Sequence, residues 1–259
     1  MSNRLALSVA VMTLNEEKNL SRCLESVREL ASEIVVIDSG SKDRTREVAE
    51  SFGARFEVQP WQGYVAQKNV ALQRCAQPWV LNLDADEAVS PELASALRAL
   101  LSGKEVRENG FQINRLNFYC GAWVRHAWYP EWRLRLVRRE VARWVGGDVH
   151  ERLEASGSTG RLTGDLWHYP YSSLQEHFQK TLKYASLAAD SYAREGRGCP
   201  WHRVVFSPWF GFLKVLILKS GWRDGWRGWA IAGARWMEVF AKYSFLIERR
   251  WKTKSSVHD

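Results

Sequence analysis

The sequence predicts an α/β protein, with a mostly parallel sheet flanked by helices and a helical extension at the C-terminus. Three observations support this class. Short apolar runs alternate with helical patterns over residues 1–103, polar turns follow most of the apolar runs, and the composition changes after residue 196. Because strands that alternate with helices form right-handed βαβ units, we expect the first part of the sheet to be parallel.

The first elements follow one another closely. An apolar, β-branched run at residues 6–12 predicts a strand, and Leu and Val at helical spacing within residues 16–30 predict a helix. Ser90, Pro91 and Glu92 form a favourable start for a later helix. The other elements predicted here are strands at 34–37, 54–58 and 79–83 and helices at 45–52 and 64–74.

After residue 103 the pattern predicts an antiparallel or mixed extension of the sheet. The segments at 111–119, 134–137 and 161–168 are strand-like, and a long helix is expected from residue 171 to 194. Residues 196–200, which contain two Gly and one Pro, interrupt the helical pattern. We therefore predict a domain at residues 1–195 and a separate tail at 196–259.

The net charge of +8 is confined to the C-terminal part of the chain. Residues 1–193 carry 24 basic and 24 acidic side chains, whereas residues 194–259 carry 13 Lys and Arg against 5 Asp and Glu. The same segment holds seven of the 14 Trp residues. A neutral body and a basic, aromatic tail are expected to contact different partners.

The cysteines and the N-terminus favour a cytoplasmic location. The chain has four widely spaced cysteines and no Cys-x-x-Cys pair, a pattern typical of free thiols in a reducing compartment. The N-terminal residues lead directly into a strand pattern, without the apolar stretch of a signal peptide.

Polar clusters follow three of the predicted strands, at residues 13–16, 38–43 and 84–87. In an open α/β sheet, ligands bind beyond the carboxyl ends of the strands, where side chains from adjacent loops converge. Taken singly, Asn15 or Asp43 is equally well explained as the N-cap of a helix. Taken together, the three clusters predict one ligand-binding crevice.

The third cluster contains the acidic triplet Asp84-Ala85-Asp86, which follows the apolar run at residues 79–83. Two carboxylates at this spacing on a turn can share one divalent cation and a diphosphate. Oxygen ligands of this kind suit Mg²⁺ or Mn²⁺ better than zinc. The triplet therefore predicts a protein that binds a nucleotide-linked substrate through a metal at Asp86 and Asp84.

The order of these motifs resembles the family 2 glycosyltransferases of the GT-A fold. The resemblance covers residues 6–155, and its motifs are Thr13-Leu14-Asn15-Glu16, Val35 to Asp43, Gln67-Lys68-Asn69 and Leu83 to Glu87. A narrower similarity, to the bacterial lipopolysaccharide-core β-1,4-glucosyltransferase branch, rests on Trp128 to Glu131, Arg133 to Leu136 and Val149-His150-Glu151.

The resemblance implies a UDP-sugar donor, specific roles for the loop residues and a lipid-linked saccharide acceptor. Asp38 is expected to accept a hydrogen bond from the uracil or ribose, Asp84 to face the ribose, and Asp86 to coordinate the metal. The residues expected to line the nucleotide pocket are Thr13, Asn15 and Glu16. Lys68 is a candidate phosphate ligand, or alternatively a solvated helix lysine.

An inverting transferase also needs a base that takes the proton of the attacking hydroxyl. Glu151 is the first candidate, because the resembling enzymes have an acidic residue at this distance beyond the metal motif. The chain has Asp148-Val149-His150-Glu151 where the family commonly has a Glu-Asp pair, so Asp148 stays open as the alternative base or as a turn residue.

Three further polar residues have two interpretations each. Arg133 and Arg135 lie on one face of a predicted strand, where they either clamp a diphosphate or pair with Glu131 and Glu140. His168 is predicted to be a core or edge residue rather than a ligand.

The tail is predicted to lie on a membrane surface. Residues 206–218 are apolar but too short and interrupted to cross a bilayer, and four Trp follow, interleaved with Arg and Lys. Trp favours the headgroup level and basic side chains attract anionic lipid. We expect a peripheral protein on the inner face of a bacterial cytoplasmic membrane; the alternatives are packing on the body or a second subunit and, less well supported, nucleic-acid binding.

Other function classes fit the sequence less well. A haloacid-dehalogenase-like phosphatase also has an Asp-x-Asp after a strand, but it requires Thr or Val where this chain has Ala88. A dinucleotide-dependent oxidoreductase requires glycines that the first strand–helix turn lacks. A non-catalytic membrane-binding module has no need of the acidic triplet. The sequence therefore favours a metal-dependent hexosyltransferase.

Overall fold

A computed structural model describes residues 4–103, 106–147 and 151–255 of the chain. It divides into two compact units. The first unit consists of Met1–Leu116 and Glu131–Tyr169, and the second of Asn117–Pro130 and Pro170–Asp259. The boundary predicted at residue 196 therefore falls within the second unit, whose first long helix precedes it.

The first unit is built around a mixed sheet in the order β3-β2-β1-β4-β8-β6-β11-β5. β1, β2, β3 and β4 are parallel, and the pairs β4–β8, β8–β6 and β11–β5 are antiparallel. The strands of this sheet are β1 Leu5–Thr13, β2 Ala31–Asp38, β3 Arg55–Val58, β4 Trp79–Asp84, β5 Glu87–Val89, β6 Gly110–Tyr119, β8 Trp132–Arg138 and β11 Thr159–His168. The predicted α/β class is confirmed, as is the mixed extension.

Helices cover one face of the sheet, and a helix and a hairpin cover the other. Alternate residues of β1 separate the two cores: Val9 and Val11 pack with α1 and α4, whereas Ala10 packs with α3 and with Trp144 of the hairpin. The helices are α1 Leu20–Val27, α2 Thr45–Ser51, α3 Tyr64–Arg74 and α4 Pro91–Leu101, and the hairpin strands are β9 Ala142–Val145 and β10 Arg152–Ala155.

Local sequence explains several of these boundaries. Ser90 is the N-cap of α4 and accepts a hydrogen bond from the backbone N–H of Leu93, as its position before Pro91 predicted. Gly164 of β11 has a φ of +85°, and a Cβ there would lie 2.3 Å from the backbone N of Leu93. Only glycine allows α4 to approach β11 this closely.

The second unit contains the last residues of β6, the short strand β7 (Ala122–Val124) and three helices. They are α5 (Leu174–Arg194), α6 (Trp201–Leu213), which continues into a π-helical turn at Lys214–Leu218, and α7 (Trp226–Ser255). A 3₁₀ turn at Gly221–Asp224 precedes α7. One core joins Ala189 of α5 to Val239, Tyr243 and Leu246 of α7.

Helix lengths and hydropathy in the described part of the chain exclude a membrane-crossing helix. The helices α6 and α7 confirm the predicted helical extension at the C-terminus.

Candidate active site

The acidic triplet lies on the turn between β4 and β5, at the carboxyl edge of the parallel strands. Asp84 is the last residue of β4, and its backbone N–H donates to the buried carboxylate of Glu87, 3.0 Å away. Glu87 is the first residue of β5, which pairs with β11. The buried Glu87 therefore fixes the turn that presents Asp84 and Asp86.

Asp84 is held between two cations. Its Oδ1 lies 3.0 Å from Nζ of Lys68, and its Oδ2 accepts a 2.7 Å hydrogen bond from the guanidinium of Arg135. Burial by itself raises the pKa of this carboxyl, but Arg135 and Lys68 outweigh it and hold the pKa of Asp84 well below its usual range. Asp84 is therefore ionised at neutral pH.

The side chain of Arg135 is buried and does not lie on a solvent-exposed face of the sheet. It is 4% exposed, and its guanidinium also donates to Glu87 Oε1, 2.6 Å away. Arg133, two residues earlier on β8, is half-exposed and pairs with Glu131 at 2.7 Å. The two arginines thus have separate carboxylate partners, and a joint clamp on a diphosphate stays a prediction.

The ion pairs continue away from the turn through Arg115. This side chain lies 3.4 Å from Glu87 and donates two hydrogen bonds to Glu131, at 2.8 and 3.0 Å. Although burial opposes ionisation, Arg115 and Arg133 lower the pKa of Glu131 to about 2. A chain of alternating charges therefore runs from Lys68 to Arg133.

Asp86 differs from Asp84 in its surroundings. Its carboxylate is 26% exposed, and its Oδ2 lies 3.4 Å from Nε2 of His168 on β11. The backbone carbonyl of Asp86 accepts from the N–H of Tyr169 at 2.9 Å. His168, which sequence reasoning assigned to the core or an edge, is thus a neighbour of the acidic turn.

The donor set at Asp86 fits a hard divalent cation. Among the residues that the structure describes, no three His, Cys, Asp or Glu side chains are arranged to hold a metal. Mg²⁺, however, commonly binds through one or two carboxylates together with phosphate oxygens of the substrate. An accessible carboxylate next to a second, ionised one satisfies that requirement.

Lys68 connects the acidic turn to the candidate base. This lysine is 8% exposed, so it is not a solvated lysine on the outer face of its helix. Its Nζ lies 3.5 Å from Glu151 Oε1. The ring of Trp144 lies 4.4 Å from the same nitrogen. Lys68, Asp84, Arg135, Asn82 and Trp144 line one small pocket.

Glu151 immediately precedes β10 and is 26% exposed, and Asp148 lies outside the described residues. The β9–β10 hairpin that carries Glu151 is held by the side chain of Asn69. Its amide donates to the backbone carbonyl of Trp144 and accepts from the backbone N–H of the same residue, both at 2.9 Å. The indole N–H of Trp144 donates to Asn82 Oδ1 at 3.2 Å.

The first two loops are bound to each other. Asn15, with a φ of +55°, donates its backbone N–H to Ser41 Oγ and accepts from the N–H of Lys42. Glu16 donates its N–H to Thr45 Oγ1 at 2.9 Å. Because α1 begins at Leu20, Asn15 is not its N-cap. The loops after β1 and β2 therefore converge, as their positions predicted.

Asp38 organises the second loop. It is 1% exposed and accepts from the Thr13 hydroxyl at 2.8 Å, the Gly40 N–H at 2.8 Å, and the N–H and hydroxyl of Ser41 at 2.7 and 2.5 Å. Four donors thus surround this carboxylate within its own loops. Its predicted contact with uracil or ribose stays a prediction.

Sequence reasoning gave no role to several residues of this site. Asn82 is the one residue whose involvement the sequence could have indicated, because it is a polar residue within an apolar strand. A buried polar side chain of this kind needs a hydrogen-bond partner. The contacts of Arg115, Trp144 and His168 join segments far apart in the chain, and nothing in the local pattern indicates them. These residues became visible only in the folded unit.

Comparison with known proteins gives a consistent picture. A family model described as glycosyl transferase family 2 matches residues 8–153. The lipopolysaccharide core biosynthesis glycosyltransferase LpsC of Rhizobium meliloti is 34% identical over 248 residues, covering 90% of each chain. An uncharacterized glycosyltransferase of Rickettsia typhi is 29% identical over 233 residues, covering 86% of this chain and 80% of that protein.

Solved structures show a weaker likeness. The Staphylococcus aureus TarS fragment 1–349, in complex with UDP-GlcNAc, matches with a TM-score of 0.47 and 13% identity, covering 95% of this chain and 92% of that one. Glucosyl-3-phosphoglycerate synthase from Mycobacterium tuberculosis, in complex with phosphoglyceric acid, gives a TM-score of 0.49 at 19% identity, covering 75% and 81%.

Proposed function

Because the chain belongs to glycosyl transferase family 2, we propose that it is an inverting hexosyltransferase of the GT-A type. The proposed donor is a UDP-sugar, with glucose as the first candidate sugar, and the proposed acceptor is a lipid-linked saccharide such as lipopolysaccharide inner core. One observation carries this proposal. Lys68 lies 3.0 Å from Asp84 of the acidic turn and 3.5 Å from Glu151, so one lysine brings a donor-binding residue and the candidate base together.

Glu151 is the proposed base. Its carboxylate lies 3.5 Å from Lys68 Nζ and is partly exposed, so that an acceptor hydroxyl can reach it, as a general base requires. It takes the proton of the acceptor hydroxyl while that oxygen bonds to the anomeric carbon, and the bond from this carbon to UDP breaks. The configuration inverts because the hydroxyl attacks from the face opposite to the leaving group.

Asp86, with Asp84 beside it, is the proposed holder of Mg²⁺ or Mn²⁺. Such a cation supplies Lewis-acid stabilisation of the charge that develops on the departing diphosphate, which is worth several kcal/mol. The chain's own contribution is to keep Asp84 ionised through Arg135 and Lys68 and to present the partly exposed Asp86 on the same turn.

A donor assay tests the enzymatic part of the proposal. The full-length protein is incubated with a panel of UDP-sugars, with Mn²⁺ or with EDTA, and UDP release is followed. We expect release from one preferred donor, loss of release in EDTA, and loss in Asp86→Ala. Glu92→Ala, in an exposed first turn of α4, is the control. Metal-independent release would overturn the metal role, and phosphate release from simple monoesters alone would overturn the transferase.

The acceptor proposal is supported by the relationship to LpsC, whose name describes lipopolysaccharide core biosynthesis. Purified lipopolysaccharides truncated at successive core positions provide the test. We expect the preferred sugar to be added to one truncated form and not to the complete core. Transfer to soluble saccharides only would contradict a lipid-linked acceptor.

The proposed location is the inner surface of the cytoplasmic membrane, bound through the basic segment after residue 196. The excess of basic side chains there supports it, because each Lys or Arg near an anionic surface contributes about 1 kcal/mol. Fractionation of a cell lysate tests this. We expect the full-length protein in the membrane fraction at low salt and its release at high salt; recovery in the soluble fraction at low salt would overturn the location.

A further inference from the structure

The outer face of α6 and of the π turn after it carries large apolar side chains. Phe206, Phe210 and Leu218 are 63%, 67% and 73% exposed. The exposed apolar positions recur at helical spacing, and we call this set the α6 face: Val205, Phe206, Trp209, Phe210, Leu213, Ile217 and Leu218. A solvent-facing helix stripe is normally polar, so this arrangement marks an interaction surface.

The opposite face of α6 is already packed. Pro208 and Gly211 are buried, and a Cβ added at Gly211 would lie 3.4 Å from Arg235 Cγ and 3.5 Å from Val239 Cγ2 of α7. Small residues thus lie at the closest approach to α7, together with the partly buried Val204 and Phe212, whereas most of the large apolar residues of α6 are exposed. A helix that only packs against its own domain normally exposes polar residues on its outer side.

The π turn extends the α6 face. The N–H of Lys219 donates to the carbonyl of Lys214 at 3.0 Å, an i to i+5 hydrogen bond that accommodates an extra residue in the turn. Leu216 is buried, while Ile217 and Leu218 point outward. The α6 face is therefore longer than α6 itself. It ends at the exposed Trp222 of the following 3₁₀ turn.

Charge identifies the partner. Residues 201–223 contain no Asp or Glu, and their four basic residues, Arg203, Lys214, Lys219 and Arg223, are all exposed. The next acidic residue, Asp224, is occupied within the unit, because its carboxylate accepts from the backbone N–H groups of Arg125, His126 and Ala127. An apolar stripe with basic flanks and exposed Trp201 and Trp222 at its two ends complements an anionic lipid surface.

We propose that the α6 face lies in the plane of an anionic bilayer and inserts its Phe, Leu and Ile side chains at the headgroup level. The segment is too short to span a membrane, which leaves an in-plane position for it. The inference rests on the proposed peripheral location and names the surface responsible for it. The basic residues attract the bilayer, and the apolar residues retain the protein there.

Vesicle co-sedimentation of the full-length protein tests this surface. The variant Phe206→Gln/Phe210→Gln/Leu218→Gln replaces three exposed side chains with a good helix former, so folding is preserved. Leu182→Gln/Leu187→Gln replaces two exposed leucines of α5 as a matched control. With vesicles of phosphatidylglycerol and phosphatidylethanolamine, we expect the triple variant to bind at least about 100-fold more weakly, and the control within about twofold of the wild type.

The outcomes separate the two levels of the proposal. If the wild-type protein does not bind the anionic vesicles, the peripheral location itself fails. If the triple variant binds as the wild type does, the location stands and the α6 face is overturned. If the wild-type protein bound neutral phosphatidylcholine vesicles as tightly as anionic ones, the proposed contribution of the basic residues to binding would be overturned. A lipid-independent dimer that the triple variant abolishes in light scattering would assign the face to a second copy of this chain instead.

Discussion

In the first unit charged side chains lie inside, and in the second unit large apolar side chains lie outside. Arg135 is almost fully buried between Asp84 and Glu87, whereas Leu218 is mostly exposed at the end of the α6 face. Buried ions cost desolvation energy, and exposed apolar surface favours association. Neither arrangement is explained by stability alone, and each supports the partner proposed for its unit: a sugar nucleotide for the first and a lipid surface for the second.

The largest effect is expected at Glu151, the proposed base, which lies beside the buried ion pairs of the first unit. Glu151→Gln keeps the size of the side chain but removes the proton acceptor, so turnover should fall by about 10²- to 10⁴-fold. The Kd of UDP measured by calorimetry should change by less than about twofold. Full turnover in this variant would assign the base elsewhere and leave Asp148 as the next candidate.

Arg135→Met tests whether the buried network stabilises the first unit. Removing this cation leaves Asp84 and Glu87 close together without their shared partner, and breaking a buried pair costs about 3–5 kcal/mol. Arg133→Met, at a half-exposed position on the same strand, should cost less than about 1 kcal/mol. Urea unfolding measures both; equal losses for the two variants would contradict the distinction drawn between buried and exposed pairs.

Asn69→Ala tests how the hairpin positions Glu151. The change removes both hydrogen bonds to the backbone of Trp144, and a small displacement of the base should lower kcat by about 10- to 100-fold. The KM for the donor should stay within about twofold, because Asp84 and Asp86 are not contacted by Asn69. Gln73→Ala, exposed on the same helix, is the control. A parallel loss of donor binding would indicate general damage to the unit.

The pH dependence of stability should sharpen the same contrast. The pKa of Glu131 is about 2 in the folded unit, below its ordinary value, so its contribution is present at neutral pH and is lost as pH falls from about 4.5 towards 2. Glu131→Gln should flatten this part of the curve of unfolding free energy against pH. Glu25→Gln, at an exposed i,i+3 pair, should leave the curve unchanged.

The smallest effect is expected on the stability of the second unit. Phe210→Gln alters an exposed side chain, so the free energy of unfolding should change by less than about 0.5 kcal/mol. Thermal unfolding without lipid measures this. A loss of several kcal/mol would mean that Phe210 belongs to the packed interior of the unit and would break the comparison between the units.

Much of the first unit could be predicted from local sequence. The helix predicted at 64–74 has those bounds in the structure, and the Ser90 N-cap and the run before Asp84 were located correctly. These features depend on periodicity, capping and turn chemistry, which are properties of short segments. The three-residue strand β5 and the hairpin β9–β10 were not predicted, because their pairing partners supply what their short sequences lack.

The candidate site was predicted by residue type and not by contact. The sequence identified Asp84, Asp86, Lys68 and Glu151 as chemical groups near the ends of strands. It did not show that Arg135 binds Asp84, or that Asn69 holds the hairpin, because these contacts join residues 51 and 75 positions apart. Such pairs depend on the register of strands that meet only in the folded unit.

By itself, the sequence determined the alternation of strands and helices, the acidic turn at a strand end and the basic, Trp-rich character of the C-terminal segment. Each follows from the order of residues along a short stretch of chain. The tertiary structure decided which carboxylates are neutralised and which are accessible, and which side of α6 faces outward. Burial and ion pairing are set by neighbours distant in sequence, so only the packed chain could determine them.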